Sequence, residues 1–553
     1  MKSCLRPNAA AVFLAAAIAA AGQNTAPPPA STNVQPANPQ SQAGSEPWWN
    51  LHVANTETVQ WHPAFPARYS GPNSLSSQAA STETVDLDVF AGLRLWQGAE
   101  LHVDGLAWQG FGFNHTLGLE AFPDAMAYKV GARLADGTFA RVFIRQTINL
   151  GGAEQDVPDD GLHLAGKQDE SRLVLTLGEI SALDVFDNNA YASDPTTQFL
   201  NWAFVGDEAW DYPANSLGFI TGLAVEWYRP PWVVRYGLFQ VPRQSNGLAE
   251  DPAYLRAWGM VTELERRFIV RRHPGAVRFL AYVNRARMGS YEDAIDDAVR
   301  PADISLSQAY RYKYGFCLNA EQELVKDVGL FMRLGWSDGH TEAWAYSDVD
   351  QSASMGLSLN GDLWKRPNDT FGLAGVVSAL SREHQQFFED GGTGILAGDG
   401  ALSYGMEKAM ETYYNFQVWK NLHVTADYQY YIDPAFNRAR GPVSVLGGRL
   451  HWDFCNEHRG HRRIARVLAA ARARARHGNS APDGPGGRGL QSNRPGGTRR
   501  PAGLGVKAGA GQVAGGGGLV QQSGTHSPRG SWLALAQRIG AAGFDSPIRL
   551  RRS

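Results

Sequence analysis

The sequence predicts an all-β protein, a transmembrane antiparallel β-barrel for which sixteen strands are favoured. Three observations support this fold class. The segment 445–454 alternates between apolar and polar residues, short turns alternate with long polar loops, and no apolar run reaches the length of a transmembrane helix. The composition agrees, because 11% of the residues are aromatic while the mean hydropathy is −0.31. A barrel with a water-filled lumen combines a high aromatic content with a polar mean hydropathy.

The segment 445–454 is the clearest single strand. Phe454, Trp452, Leu450 and other alternate residues form an apolar face, whereas Arg449 and His451 lie on the opposite face. Strand side chains alternate between the two faces, so one face is apolar and the other is charged. In a membrane barrel these faces meet lipid and lumen, and the terminal aromatic pair suits an interfacial girdle.

The N-terminal residues carry the pattern of an export signal. Lys2 and Arg6 precede the apolar and small residues 9–22, and a polar run begins at Gln23. We interpret residues 1–22 as a cleaved signal peptide and residues 23–47 as a Pro-rich disordered linker. The predicted barrel then covers residues 48–454, and residues 455–553 form a basic tail.

Residues 455–553 continue past Phe454, where the last strand of such a barrel is expected to end. The tail holds 17 Lys and Arg against 3 Asp and Glu, a net charge of +14, so the remainder of the chain carries −3 − 14 = −17. It shows no alternating strand pattern, and we expect it to be disordered. Our preferred interpretation is translation beyond the normal stop codon or a frameshift; the alternative is a basic extension that touches anionic lipid.

The turns give a strand count. Seven short turns would join fourteen strands, and the first and last strands bring the total to sixteen. Residues 172–205 are ambiguous, since an extra hairpin there would give eighteen strands and a loop folded into the lumen would keep sixteen. Long polar loops are expected at 62–82, 288–309 and 383–410. The seven turns are predicted at 97–100, 136–137, 229–231, 272–275, 326–327, 366–369 and 420–421.

Charged residues between apolar neighbours predict the lumen side of several strands. Arg141, Phe143 and Arg145 share one face of their strand, opposite Val142 and Ile144. An Arg that faced lipid near the midplane would cost about 2–4 kcal/mol, so we expect these side chains to face the lumen. Either they contact the solute or they brace the wall through ion pairs. The other residues predicted to face the lumen are Arg94, Glu226, Arg235 and Arg333.

Several motifs in one order resemble the carbohydrate-selective porin family OprB. The resemblance covers about residues 49–454 and implies an outer-membrane channel through which sugars diffuse. The motifs are residues 62–75, 143–147, 175–191, 194–195, 198–202, 284–291, 427–429 and 437–442.

A sugar channel would need aromatic rings and hydrogen-bonding groups at its narrowest point. We expect the segment 184–202, with Asp187, Asn188, Asn189 and Trp202, to narrow the channel together with Arg141, Phe143 and Arg145. A segment packed on the wall is the alternative.

We expect the transported sugars and the lipid of the outer membrane as partners, with no nucleic acid, in a monomer or a homotrimer. No cofactor, metal or enzymatic activity is predicted, and we interpret Glu263 and Glu265 as lumen charges rather than a catalytic pair. The rival interpretation is a periplasmic β-rich protein that binds or cleaves glycans.

Overall fold

The wall of the molecule is a closed antiparallel sheet of sixteen strands. The computed structural model describes residues 47–127 and 131–455. The predicted signal peptide, most of the linker and nearly all of the tail lie outside these residues. The wall strands are β1 (Trp49–His62), β2 (Ala80–Trp96), β3 (Ala99–Gly110), β4 (Ala132–Asn149), β7 (Arg172–Ile180), β8 (Ile220–Arg229), β9 (Trp232–Phe239), β10 (Trp258–Val270), β11 (His273–Met288), β12 (Ala309–Val325), β13 (Val328–Ser337), β14 (Gln351–Asn360), β15 (Thr370–Ala379), β16 (Glu407–Trp419), β17 (Leu422–Ile432) and β18 (Val443–Cys455).

The remaining elements are short and lie in connections. A separate two-stranded sheet consists of β5 (Glu154–Val157) and β6 (Gly166–Asp169). The helices are α1 (Trp202–Val205), α2 (Tyr291–Asp296) and α3 (Arg382–Glu389), with 3-10 turns at Phe113–His115, Ala182–Asp184, Ile304–Ser307, Gly361–Trp364 and Pro434–Phe436. Within the described ranges, none of the helices combines the length and apolar character that crossing a bilayer requires.

The first and last strands close the barrel. β1 pairs with β18 over a register that runs from His52 opposite Cys455 to Trp61 opposite Leu446. Cys455, which we expected beyond the barrel, is the last residue of β18. The first residue of β1 and the last residue of β18 lie on the side of the barrel where most connections are short, here called the turn end. The opposite side is called the loop end.

The exposure of side chains is that of a barrel with lipid outside and polar groups inside. On β18, Trp452 and Phe454 are 42% and 48% exposed, whereas Arg449 is 2% exposed. The apolar face is therefore the outer one, as the alternation predicts. Exposed aromatic residues lie near both ends of the wall, as membrane barrels require. They include Trp96, Trp232, Trp419 and Trp452 at the turn end, and Trp61, Tyr312 and Trp336 at the loop end.

The prediction of sixteen strands is confirmed, but one of the seven predicted turns, at residues 136–137, is wrong. Residues 136–137 lie inside β4, which continues to Asn149. Asp136 pairs with Trp108 on β3, so the Asp-Gly pair belongs to an extended wall strand at the loop end and not to a turn. The seventh connection of the turn end is the segment 150–171, which contains β5 and β6. The ambiguous region begins with β7, and a long connection then leads to β8.

Candidate constriction of the barrel lumen

Ion pairs line the inner face of the wall between β8 and β11. Arg235 of β9 donates to Glu263 at 2.6 Å, to Glu265 at 2.7 Å and to Glu226 at 3.2 Å. Arg278 continues this row, because its guanidinium lies 3.2 Å from Glu265. All five side chains come from inward positions of neighbouring strands. Glu263 and Glu265 therefore serve as partners of arginines on the wall.

The connection between β7 and β8, residues 181–219, folds into the lumen and is here called the crossing segment. Its first anchor is Arg141 on β4. The guanidinium binds both carboxylate oxygens of Asp184, at 2.8 and 2.9 Å, and donates to Asp104 of β3 at 2.7 Å. A bidentate pair fixes orientation as well as position. The start of the crossing segment is thus tied to one side of the wall.

The second anchor is Arg333 on β13, which is seven strands away from β4 in the closed order of sixteen. Arg333 pairs with Asp187 at 3.0 Å and donates to the carbonyl oxygens of Ala192 and Phe204 at 2.7 and 2.9 Å. Both members of the ion pair are almost fully buried. Because the two anchors lie on opposite sides of the barrel, the crossing segment spans the lumen.

Asparagines reinforce the second anchor. Asn319 of β12 donates to the carboxylate of Asp187 at 2.6 Å and accepts from the side chain of Asn189 at 2.8 Å. Asn188 lies between them in sequence, and its carbonyl oxygen accepts from Asn319 at 3.2 Å. Its side chain is half-buried and has no hydrogen bond to another group among the described residues. The amide of Asn188, unlike that of Asn189, is therefore not held by the wall.

Trp202 packs within a stack of rings in the lumen. Its indole lies 5.5 Å from the Phe122 ring at an interplanar angle of 6°, and 5.0 Å from Tyr346 at 26°. Tyr212 stacks in turn on Tyr346, with centroids 4.9 Å apart. Protein rings therefore lie against the indole of Trp202, which is buried. In this arrangement Trp202 joins the crossing segment to the connection between β3 and β4, through Phe122, and to the connection between β13 and β14, through Tyr346.

Phe143 and Arg145 lie on the inner face of β4, as the alternation predicts. Phe143 is buried and stacks on His102 with centroids 5.1 Å apart. Arg145 donates to the carbonyl oxygen of Leu162 at 2.6 Å. Arg94 of β2 likewise donates to the carbonyl oxygen of Ala165, at 3.1 Å, within the segment 150–171. These two arginines hold a second inserted element, on the turn-end side of Arg141.

The later part of the crossing segment carries buried acids. Burial and the nearby charge of Asp187 raise the pKa of Asp207 to about 7. Burial also raises the pKa of Glu208 to about 8, although the hydroxyl of Ser378 donates a hydrogen bond to its carboxylate. The second oxygen of Glu208 has no partner among the described residues. Packing of this part of the segment therefore favours the protonated form of both side chains.

Sequence reasoning missed the wall residues that receive the crossing segment. Glu411 of β16 accepts from the backbone N–H groups of Leu200 and Asn201 at 2.7 and 2.9 Å. Asp104 holds Arg141 from the neighbouring strand. The alternation along β3 places Asp104 on the inner face with His102, and this signal was available in the sequence. No comparable local signal indicated the backbone partners of Glu411.

A known protein family and a solved porin structure match this chain. The family described as carbohydrate-selective porin, OprB family, matches residues 73–454. The high-pH structure of OprB from Pseudomonas putida has a TM-score of 0.56 and 18% identity, and covers 73% of this chain and 94% of that chain. The outer-membrane channel DcaP of Acinetobacter baumannii has a TM-score of 0.41 and 7% identity, with 73% and 97% covered. The search of curated proteins found no match.

The family match extends over more than half of the sequence, and the barrel has the same fold as the Pseudomonas putida porin. The rival interpretation, a periplasmic glycan-binding or glycan-cleaving protein, is not supported. The lipid-facing girdles and the polar lumen have the form that an outer-membrane channel needs. This chain belongs to the OprB family of carbohydrate-selective porins, passive channels for sugars in the bacterial outer membrane.

Proposed function

We propose that the crossing segment forms the narrowest section of the sugar path, with residues 184–202 at its rim. The observation that carries this proposal is the pair of anchors on opposite sides of the wall, Arg141 with Asp184 and Arg333 with Asp187. A stretch of chain tied to two opposite sides of the wall reduces the open cross-section of the lumen. Small sugars would then diffuse passively beside this stretch.

Arg141 acts in this proposal as a positioning residue. Its Nε and both Nη atoms donate to the carboxylates of Asp184 and Asp104, so few donors remain for a sugar hydroxyl. Phe143 and Trp202 are buried, and rings of the protein stack on them. These three side chains shape the constriction by holding its parts in place.

Asn188 is the side chain that we propose to contact the solute. An amide carries two donors and an acceptor, which suits the hydroxyl groups of a neutral sugar. The contact would add about 1 kcal/mol, the usual net value of one hydrogen bond. The side chain is half-buried, so it can reach a passing solute without leaving the crossing segment.

A single chain encloses the whole lumen, so we propose that each barrel conducts by itself. The closed order of sixteen wall strands needs no strand from a second copy. A monomer and each member of a homotrimer would therefore conduct sugars by the same path. The girdle of exposed aromatic residues supports outer-membrane lipid as the partner of the outer face.

Planar-bilayer conductance with added mono- and disaccharides tests the proposed contact. We expect sugar to block the ion current of the wild-type channel. In Asn188→Ala the half-blocking concentration should rise about fivefold, the equivalent of about 1 kcal/mol, because one hydrogen bond to the sugar is lost. Asn368→Ala, in an exposed connection at the turn end, is the matched control. Equal block in Asn188→Ala and the control would contradict the assignment.

A further inference from the structure

The connection between β4 and β7 has an architecture unlike that of the turns at the same end of the barrel. Residues 150–171 continue the hairpin of β4 and β7 into β5 and β6, and are here called the inner hairpin. Gly151 and Gly152 have φ values of +100° and +104°, which side chains rarely adopt. These two glycines allow the hairpin to bend sharply away from the wall.

The tip of the inner hairpin, residues 158–165, lies inside the barrel. Asn50 on the inner face of β1 donates to the carboxylate of Asp159 at 2.8 Å and to the carbonyl oxygens of Asp160 and His163 at 3.0 and 2.9 Å. Arg145 of β4 donates to the carbonyl oxygen of Leu162. The tip therefore rests on inward residues from two different parts of the wall.

Close packing against β2 shows how far the tip enters. A Cβ atom on Gly161 would lie 2.9 Å from the ring of Phe90, and a Cβ atom on Gly92 would lie 2.9 Å from a methyl carbon of Leu164. Phe90 is six residues from Trp96, the last residue of β2. With the usual rise and tilt of barrel strands, the tip reaches about 15 Å into the lumen.

The tip and the crossing segment pack on the same part of the inner face, near the middle of the barrel. Leu162 of the tip and Leu183 of the crossing segment pack against the same buried cluster, which includes Phe143. Their anchors on β4 agree with this position, because Arg141 holds the crossing segment and Arg145 holds the tip. The two inserted elements thus come from opposite ends of the barrel and lie on either side of Phe143.

Polar groups of the tip remain open to the lumen. The side chains of Asp160 and His163 are 46% and 37% exposed and lie 3.0 Å apart. Asp159 beside them is 26% exposed. The 3.0 Å contact joins Nδ1 of His163 to Oδ1 of Asp160, and Nε2 of His163 and the remaining lone pairs of the carboxylate can still bind hydroxyl groups. The exposed part of the tip is therefore chemically suited to a polyol.

We propose that the inner hairpin is the second half of the constriction, a barrier on the turn-end side at which Asp160 and His163 bind the hydroxyl groups of a neutral sugar. This proposal rests on the sugar path proposed above. It assigns selectivity to an element that enters from the turn end, in addition to the crossing segment that enters from the loop end. A sugar then passes two polar contacts in series.

The main test shortens the inner hairpin. Ala153 accepts a hydrogen bond from the N–H of Glu170, so these residues face each other across the hairpin and can be joined by a two-residue turn. Replacing residues 154–169 with Asn-Gly should raise the KCl conductance at least twofold and raise the half-blocking sugar concentration at least threefold. The matched control is Glu154→Gln with Lys167→Gln, which removes an exposed ion pair of the hairpin base.

The outcomes separate the two proposals. A shortened variant that assembles, judged by heat-modifiable migration in gels, and keeps the wild-type conductance would overturn the inner barrier. If the shortened chain fails to assemble, Asp160→Ala with His163→Ala decides, because unchanged sugar block in that variant would also overturn it. Wild-type channels without any sugar block would refute the sugar path, whereas a higher KCl conductance after shortening would still support the barrier.

Discussion

Replacement of Arg333 by Ala should release the part of the crossing segment around Asp187 from β13. Arg333 and Asp187 are each about 1% exposed and lie 3.0 Å apart. Removing one member of a buried pair leaves the other charge uncompensated, which costs about 3–5 kcal/mol. A cost near 4 kcal/mol changes the ratio of docked to released segment about a thousandfold.

Single-channel recording provides the assay for this release. Arg333→Ala should give larger and noisier current steps than the wild-type channel, because the stretch around Asp187 no longer stays across the lumen. Arg333→Met combined with Asp187→Asn should lie closer to the wild type, since neither change leaves a buried charge unpaired. Arg311→Ala is the control, because its partner Asp293 is 55% exposed and such surface pairs contribute little. Wild-type conductance and noise in Arg333→Ala would refute the reasoning.

Two further predictions concern the anchors and the buried acids. Arg141→Ala with Arg145→Ala should widen the pore, shift ion preference toward cations and weaken sugar block, whereas Val142→Leu on the outer face should change none of these. Wild-type behaviour of the double variant would contradict the role of these arginines. Burial raises the pKa of Glu208 to about 8, so the side chain stays protonated while the segment is packed, whereas in a released segment it ionises from about pH 4 upward. The packed arrangement is therefore destabilised as the pH rises toward 8. Conductance should therefore rise between pH 5 and pH 8.5, and Glu208→Gln should flatten this rise; an unchanged slope in that variant would exclude Glu208 as its source.

Much of the fold could be predicted because the direction in which each wall residue faces follows from the residues next to it in the sequence. Alternation along a strand reports which side each residue faces, and β18 follows this rule from Arg449 to Phe454. Turn signals are less specific, as residues 136–137 show. An Asp-Gly pair fits a tight turn, but it also fits an extended strand that continues past the membrane, and only the partner strand distinguishes the two.

The candidate site was less predictable because its contacts are not local. The inward position of Arg333 follows from its neighbours, yet its partner Asp187 lies 146 positions away in the sequence. The path of the crossing segment decides which inward residues meet, and no spacing rule encodes that path. The inner hairpin was not predicted for the same reason, since Gly151 and Gly152 indicate a bend but not the direction that the chain takes after it.

The pairing of β1 with β18 has a consequence for the order of assembly. Along the wall, each strand pairs with strands next to it in the sequence, apart from this single closing pair and the interruption by β5 and β6. Fifteen of the sixteen contacts can therefore form by successive hairpin addition, with little loop-closure entropy at each step. Closure alone joins the two ends of the wall, and until it forms both edges carry unpaired backbone groups that hydrocarbon does not tolerate. The final strand thus acts as the commitment step, and a chain that lacked it would have to be shielded or degraded before reaching lipid.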